Sequence, residues 1–128
     1  MSRRQTTWSP KKSPACEKRI IDEIVVDAYD EWERAMGWYY YLEEKLKFPF
    51  QAKCTVQRVT SPLKTDEVVE VIGMPTEEDC ASDMFVKIRW QERTLAVPLS
   101  QLKAVRVDGT TRQAVGDWHY WVRWGYQF

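Results

Sequence analysis

The amino-acid sequence predicts an α+β fold, with an N-terminal helix, then a small SH3-like antiparallel β-barrel, then a C-terminal helix. Three observations support this prediction: a helical stripe of apolar residues after residue 30, several short segments that alternate between apolar and polar residues, and a second helical stripe near the end. The chain has 128 residues and is 44% hydrophobic, so it can bury one core.

The first helix is predicted over residues 30–47. Asp30 is a suitable N-cap, and Glu33 follows it at the spacing of a capping box. The stripe that should face the core consists of Trp32, Ala35, Tyr39, Leu42 and Leu46. Pro49 ends the helix, because the residue before a proline disfavours helical backbone. The apolar run at 24–26 is compatible with a strand or an extended lead-in to this helix.

After this helix the apolar residues recur at every second position, which is typical of strands. Strands are predicted over residues 52–56, 67–72, 85–90 and 94–99. In the third of these, the side chains expected to face the core are Val86, Ile88 and Trp90, and those expected to face solvent are Lys87 and Arg89. Pro98 indicates an edge strand or a bulge.

The C-terminal helix is predicted from residues 111–124, where Val115, Trp118 and Val122 fall at helical spacing. We expect it to pack on the barrel. The aromatic residues of both helices, Tyr39, Tyr40, Tyr41, Trp118, Trp121 and Trp124, could stack on nucleic-acid bases, but their helical spacing favours packing in the core.

Charge divides the chain into segments, although the net charge is zero. Residues 1–18 combine Lys and Arg with Ser, Thr and Pro and predict a flexible basic tail, which leaves residues 19–128 as a single domain. A first acidic block at 21–33 contains no base and consists of Asp22, Glu23, Asp27, Asp30, Glu31 and Glu33. A second block at 65–86, also without a base, consists of Asp66, Glu67, Glu70, Glu77, Glu78, Asp79 and Asp83.

The sequence disfavours several classes of protein. It has no apolar run near the ~20 residues that span a bilayer and no signal peptide, so no membrane contact and a cytoplasmic location are expected. The cysteines Cys16, Cys54 and Cys80 are odd in number and far apart, which disfavours a disulfide framework. They lack the paired spacing of a zinc site with His119, and Cys54 is expected in the core. No nucleophile or paired-acid signature supports catalysis, so an enzyme is not expected.

The first acidic block is the leading candidate for a binding site. Calcium takes about six to eight hard oxygen ligands, and clustered carboxylates without a neighbouring base can supply them. The structural alternative is that acids in the first turn complement the helix dipole, that Asp30 only caps, and that Arg34 pairs with Asp30 or Glu31. Glu77, Glu78 and Asp79 form a second candidate, for which a solvated acidic loop is the simpler interpretation. No EF-hand loop is present.

Long motifs recur in one order along nearly the whole chain after the tail. They are IVVDAY at 24–29, RAMGWYYYLE at 34–43, FPFQAKC at 48–54, SPL at 61–63, DEVVEVI at 66–72, MFVKIRW at 84–90, LAVPLSQL at 95–102 and DWHYW at 117–121. With these motifs the chain resembles the CcbP-type calcium-binding proteins of cyanobacteria over about residues 19–128.

The resemblance implies a compact α+β domain that binds calcium reversibly, as a buffer or sensor, through surface carboxylates and without an EF-hand. Carried over to this chain, the ligands fall on Asp27, Asp30, Glu31 and Glu33, with Glu77, Glu78 and Asp79 as a weaker site. The chain departs from the family pattern in two ways: relatives tend to be strongly acidic whereas this chain is neutral, and Trp32 stands where a further acid is expected.

A second function, of a different class, stays open at this point. A small barrel can act as an interaction module that recruits a partner without metal. The basic tail would assist a nucleic-acid partner through phosphate contacts, but we expect an unidentified protein partner rather than nucleic acid.

Overall fold

The computed structural model describes residues 13–124, so most of the predicted tail, residues 1–12, lies outside the described residues, as do residues 125–128. Helix α1 spans Pro14–Arg19, and the side chain of Ser13 caps it by accepting from the Cys16 amide at 3.2 Å. Residues 14–18, which the sequence assigned to the flexible tail, therefore belong to the fold. Within 13–124 no helix is long and apolar enough to cross a membrane.

Helix α1 continues directly into a π-helical segment, Ile20–Ile24, in which the Val25 amide donates to the Ile20 carbonyl. Ile20 and Ile24 are 2% and 3% exposed, so this segment buries one face. The strand considered for residues 24–26 does not form. The apolar residues here serve a helical face, since Ile24 is buried and its carbonyl oxygen lies close to Gly37 of the next helix.

Helix α2 spans Glu31–Lys45 and begins with the predicted N-cap at Asp30, but the Glu33 side chain reaches the Tyr29 amide and not the Asp30 amide of a complete capping box. The Asp30 carboxylate accepts from the Glu33 amide, and the Glu33 carboxylate accepts from the Tyr29 amide, both at 2.8 Å. Gly37 permits the close approach of the π-helical segment, since a Cβ at this position would lie 2.2 Å from the Ile24 carbonyl oxygen.

Five antiparallel strands form one sheet in the order β4-β3-β2-β1-β5. Their bounds are β1 Phe50–Cys54, β2 Val68–Gly73, β3 Phe85–Trp90, β4 Arg93–Pro98 and β5 Leu102–Val105. Four of these confirm predicted strands, and Pro98 does lie in an edge strand. The fifth, β5, was not predicted: a 3₁₀ turn, Leu99–Gln101, leads the chain from β4 to the opposite edge, where β5 pairs with β1.

The predicted SH3-like barrel is not closed. β4 pairs only with β3 and β5 only with β1, so the two strands remain the edges of an open sheet within residues 13–124. The α+β class is correct, whereas the closed barrel is not observed, because no hydrogen-bonded ladder joins β4 to β5.

Helix α3, Gly109–Arg123, starts at the Asp108 cap and packs against α2 and the sheet. Trp38 of α2 is fully buried, and its ring centroid lies 5.0 Å from Trp118 and 5.5 Å from Trp121. The sheet contributes Val86 and Ile88, both 0% exposed as predicted. Trp90 is only partly buried, and its indole Nε1 donates to the Glu67 carboxylate at 3.0 Å.

A buried carboxylate joins the three helices. Asp117 of α3 is 2% exposed and accepts two hydrogen bonds from the Arg19 guanidinium, at 2.7 and 2.8 Å. It also accepts from the Tyr41 hydroxyl at 2.9 Å and from the Cys16 thiol at 3.2 Å. Burial, reinforced by Asp117, raises the pKa of the Cys16 thiol to about 12, so the thiol stays protonated and can donate.

Candidate functional site

The first acidic block lies on the surface, where the π-helical segment turns into α2. Asp27 occupies the turn with a φ of 59°, and the Ala28 amide closes this turn by donating to the Val25 carbonyl at 3.1 Å. A left-handed φ is tolerated by Asp better than by most residues. Asp27, Asp30, Glu31 and Glu33 are all exposed.

These four carboxylates differ in what holds them. Asp30 and Glu33 each use one oxygen for the helix cap, whereas Asp27 and Glu31 have no hydrogen-bonding or ion-pair partner within residues 13–124. The block has no base of its own, and the next one along the chain is Arg34. Several carboxylate oxygens of these four residues are thus available to a cation, which would relieve their mutual repulsion.

The second block is divided by the fold. Glu77, Glu78 and Asp79 lie in the loop between β2 and β3, which contains a 3₁₀ turn at Glu78–Cys80. The Thr76 hydroxyl donates to the Asp79 carboxylate at 2.9 Å, so Asp79 is partly engaged.

The remaining acids of the second block have other partners, although Asp83 also lies in the loop between β2 and β3. Glu70 pairs with Arg89 across the sheet at 3.1 Å, and Glu67 accepts from Trp90. Asp83 is half-buried and accepts from the Met84 amide at 2.8 Å, and burial raises the pKa of its carboxyl group. The continuous acidic run in sequence therefore becomes a small loop cluster and several separately engaged carboxylates.

Helix α2 supplies one acid that the sequence reasoning missed. The Tyr39 hydroxyl donates to the Pro75 carbonyl, and this hydrogen bond connects α2 to the loop that carries Glu77, Glu78 and Asp79, which we call the acidic loop. Burial raises the pKa of Tyr39, and the negative charge of Glu43, then that of Glu77 and Glu78, raises it further. Glu43 and the loop acids therefore act on the same tyrosine side chain. The available signal was its helical phase, since Glu43 is one turn after Tyr39 on α2.

The donor set matches calcium in kind but is not gathered around one point. Carboxylate and carbonyl oxygens suit hard cations such as calcium and magnesium, whereas zinc prefers thiolate and imidazole. Within residues 13–124, no three His, Cys, Asp or Glu side chains are arranged to hold a metal ion. The predicted ligands fit calcium by chemistry, and an ion would have to draw the exposed side chains together.

The soft ligands considered for zinc lie in the core. Cys16, Cys54 and Cys80 are buried and free. The His119 ring nitrogen Nε2 lies 2.6 Å from the Leu102 carbonyl oxygen, and burial lowers the pKa of this histidine below its ordinary value of 6.5. These positions do not form a zinc site among the residues that the structure describes.

Comparison with known proteins identifies the family. A family model for calcium-binding proteins of the CcbP type matches residues 18–122. The chain belongs to the CcbP family. The solved structure of Anabaena CcbP is 40% identical, with a TM-score of 0.84 over 94% of this chain and 98% of that chain. A calcium-binding protein solved in its calcium-binding form is 39% identical, with a TM-score of 0.81 over 91% of this chain and 96% of that chain. Among curated proteins, none matches this chain.

The CcbP match spans the last residues of α1, both acidic blocks, the whole sheet and nearly all of α3. The open five-stranded sheet with helices before and after it is therefore the fold that this chain shares with its CcbP relatives. The family assignment does not depend on where the acidic side chains point.

Proposed function

We propose that this protein is a cytoplasmic calcium-binding protein that binds the ion reversibly, as a buffer or sensor, without an EF-hand. The observation that carries the proposal is the CcbP family match over residues 18–122, together with 39% identity to a relative solved in its calcium-binding form. The exposed, hard-oxygen donors of the first acidic block supply the chemistry that this family assignment requires.

The first acidic block is the proposed principal site, with Asp27, Asp30, Glu31 and Glu33 as its ligands. Asp27 and Glu31 are free to turn toward an ion, and Asp30 and Glu33 each keep a second carboxylate oxygen beside the one used for the cap. When bound, calcium would offset the repulsion among these charges. Exposed side chains accept irregular coordination, which suits calcium better than magnesium.

The acidic loop is the proposed weaker site, formed by Glu77, Glu78 and Asp79, and we add Glu43 from α2 to this set. Two properties favour lower affinity. Asp79 already accepts from Thr76, and the loop is held to α2 through the Tyr39–Pro75 hydrogen bond, which restricts how far it can close around an ion.

Calorimetric titration of the full chain with calcium, and then with magnesium, tests the proposal. We expect saturable calcium binding that is at least tenfold tighter than magnesium binding, because magnesium requires a near-octahedral shell and releases its water reluctantly. Equal, weak heats for the two ions would indicate a diffuse counterion cloud and would contradict a specific site.

Thermal unfolding provides an independent readout. An ion that binds only the folded state stabilises it by about 2.7 kcal/mol at a concentration of 100 times Kd. Calcium should therefore raise Tm by an amount that grows with the logarithm of its concentration relative to Kd, and an equal ionic strength of sodium chloride should not raise Tm. A backbone NMR spectrum unchanged by calcium, apart from the two acidic regions, would favour a buffer over a sensor.

A further inference from the structure

A group of apolar side chains lies exposed beside the first acidic block. Val26 is 52% exposed, Tyr29 is 82% exposed and Trp32 is 47% exposed. We call these three residues the aromatic patch. All three fall within seven consecutive residues that run from the turn after the π-helical segment into the first turn of α2.

The position of Trp32 shows why it is uncovered. The sequence places it on the same stripe of α2 as Ala35 and Tyr39, which are 0% and 6% exposed. The stripe thus continues past the point where the core ends, and the chain before α2 does not cover it, since Tyr29 itself projects into solvent. A single exposed apolar residue is ordinary, whereas several that lie close together in the chain, among acidic residues, are typical of an interaction site.

The rim of the aromatic patch is acidic on the side of α2 and of the preceding turn. It consists of Asp27, Asp30, Glu31 and Glu33, and no Lys or Arg occurs between residues 21 and 33. An apolar surface with negative charge around it is complementary to a segment that combines apolar and basic side chains. Trp and Tyr are also the residues that most often carry the binding energy of protein interfaces.

We propose that the aromatic patch is a docking surface for a basic amphipathic helix of a partner protein. The apolar face of that helix covers Trp32, Tyr29 and Val26, and its Lys or Arg side chains pair with Asp27 and Glu31. Both carboxylates have no partner within residues 13–124, so pairing breaks no existing contact there. The mode is a helix bound through apolar anchors, with charge setting its orientation and association rate.

A synthetic peptide of about 18 residues, made only of Leu and Lys in a helical pattern, serves as the probe, since shorter peptides are marginal helices. Its binding to the full chain is followed by fluorescence anisotropy of a label on the peptide. The buffer contains a calcium chelator, so the result does not depend on the proposed calcium function. We expect micromolar binding that weakens as salt is raised.

Substitutions locate the site. Trp32→Gln and Tyr29→Ser should each weaken peptide binding at least tenfold, and Tyr29 is so exposed that its replacement leaves the fold intact.

The matched controls are Tyr40→Ser, which removes a 51% exposed aromatic from the same helix, and Val59→Ser, which removes a fully exposed apolar residue beside Arg58. Both controls should bind like the parent. Asp27→Asn with Glu31→Gln should weaken binding, whereas Glu44→Gln with Glu92→Gln should not.

Five results would overturn the proposal, and the first four concern the peptide and the patch. They are binding no tighter than millimolar, equal binding of a peptide with the same composition in a scrambled pattern, parent-like binding by Trp32→Gln and Tyr29→Ser, and reversible dimerisation of the parent that Trp32→Gln abolishes. Tenfold tighter peptide binding after replacement of Arg3, Arg4, Lys11 and Lys12 by Gln would also contradict it, because the occupant would then be the chain's own N-terminal segment.

Discussion

Two groups of carboxylates in this protein have opposite surroundings. Asp117 is buried among three helices and accepts four hydrogen bonds, two of them from Arg19. The first acidic block, by contrast, lies in solvent, and Asp27 and Glu31 have no partner within residues 13–124. Both groups consist of the same chemical function.

The contrast separates structural from functional charge. Both oxygens of Asp117 already accept hydrogen bonds. Removing one partner of a buried ion pair strongly lowers the free energy of unfolding, so this carboxylate has a structural role. In the first block, Asp30 and Glu33 cap a helix and Asp22 pairs with Lys18, whereas Asp27 and Glu31 remain available. A carboxylate whose loss leaves the fold unchanged is the kind that a reversible ion can use.

Asp117→Asn should produce the largest effect of the substitutions considered. It leaves Arg19 without its charged partner in a site where that side chain is 22% exposed, and such a change costs about 3–5 kcal/mol. Urea denaturation measures the loss. The matched control is Asp22→Asn, which breaks an exposed pair with Lys18 and should cost about 0–1 kcal/mol. Similar losses for the two variants would mean that burial does not distinguish these carboxylates.

Gly37→Ala should have the next largest effect. The added Cβ would lie 2.2 Å from the Ile24 carbonyl oxygen, so α2 and the π-helical segment must separate, at about 1–3 kcal/mol. Gly116→Ala is the control, because nothing lies within 4 Å of that Cβ and alanine is the better helix former by up to about 1 kcal/mol. Opposite signs for the two changes in thermal unfolding would confirm the close contact that positions the first acidic block. A stable Gly37→Ala variant would contradict it.

The pH dependence of stability should show a smaller effect, through His119. Burial lowers the pKa of His119 in the folded state below its ordinary value of 6.5, so the unfolded state takes up the proton first as the pH falls. The stability that the neutral ring contributes is complete above pH 6.5 and is lost as the pH falls through the folded-state pKa. Unfolding free energies at about pH 7.5 and about pH 5.5 should differ more for the parent than for His119→Gln. Parallel pH profiles would assign the effect to other groups.

Local patterns predicted the elements that are stabilised locally. The capping box at Asp30 and Glu33 located the start of α2, and strict alternation located β3, residue for residue. Helix α1 could not be predicted in this way, because its anchor is a contact between Arg19 and Asp117, 98 residues apart. β5 is only four residues long and is specified by its pairing with β1.

The candidate site shows the same division between local and distant information. The sequence identified the exposed acids of the first block, since they are contiguous and lack a base. It could not show that Glu70 pairs with Arg89 across the sheet, or that Glu43 and the loop acids act on the same tyrosine, Tyr39, because both depend on tertiary packing. It also assigned Trp32 to the core, since helical phase gives the direction of a side chain but not where the core ends.

The claim that free carboxylates at the start of α2 hold calcium is tested most directly by a calorimetric calcium titration of the double variant Asp27→Asn, Asp30→Asn. Each substitution keeps the shape and an acceptor oxygen but removes a charge, and Asn caps a helix about as well as Asp.

The control is Glu44→Gln with Glu92→Gln, which removes equal charge from exposed positions outside both proposed sites. We expect the double variant to unfold like the parent and to bind calcium at least tenfold more weakly, about 1.4 kcal/mol, with the control unchanged. Parent-like calcium affinity in the double variant would contradict this assignment, and its loss instead in a Glu77→Gln, Glu78→Gln, Asp79→Asn variant would place the principal site in the acidic loop.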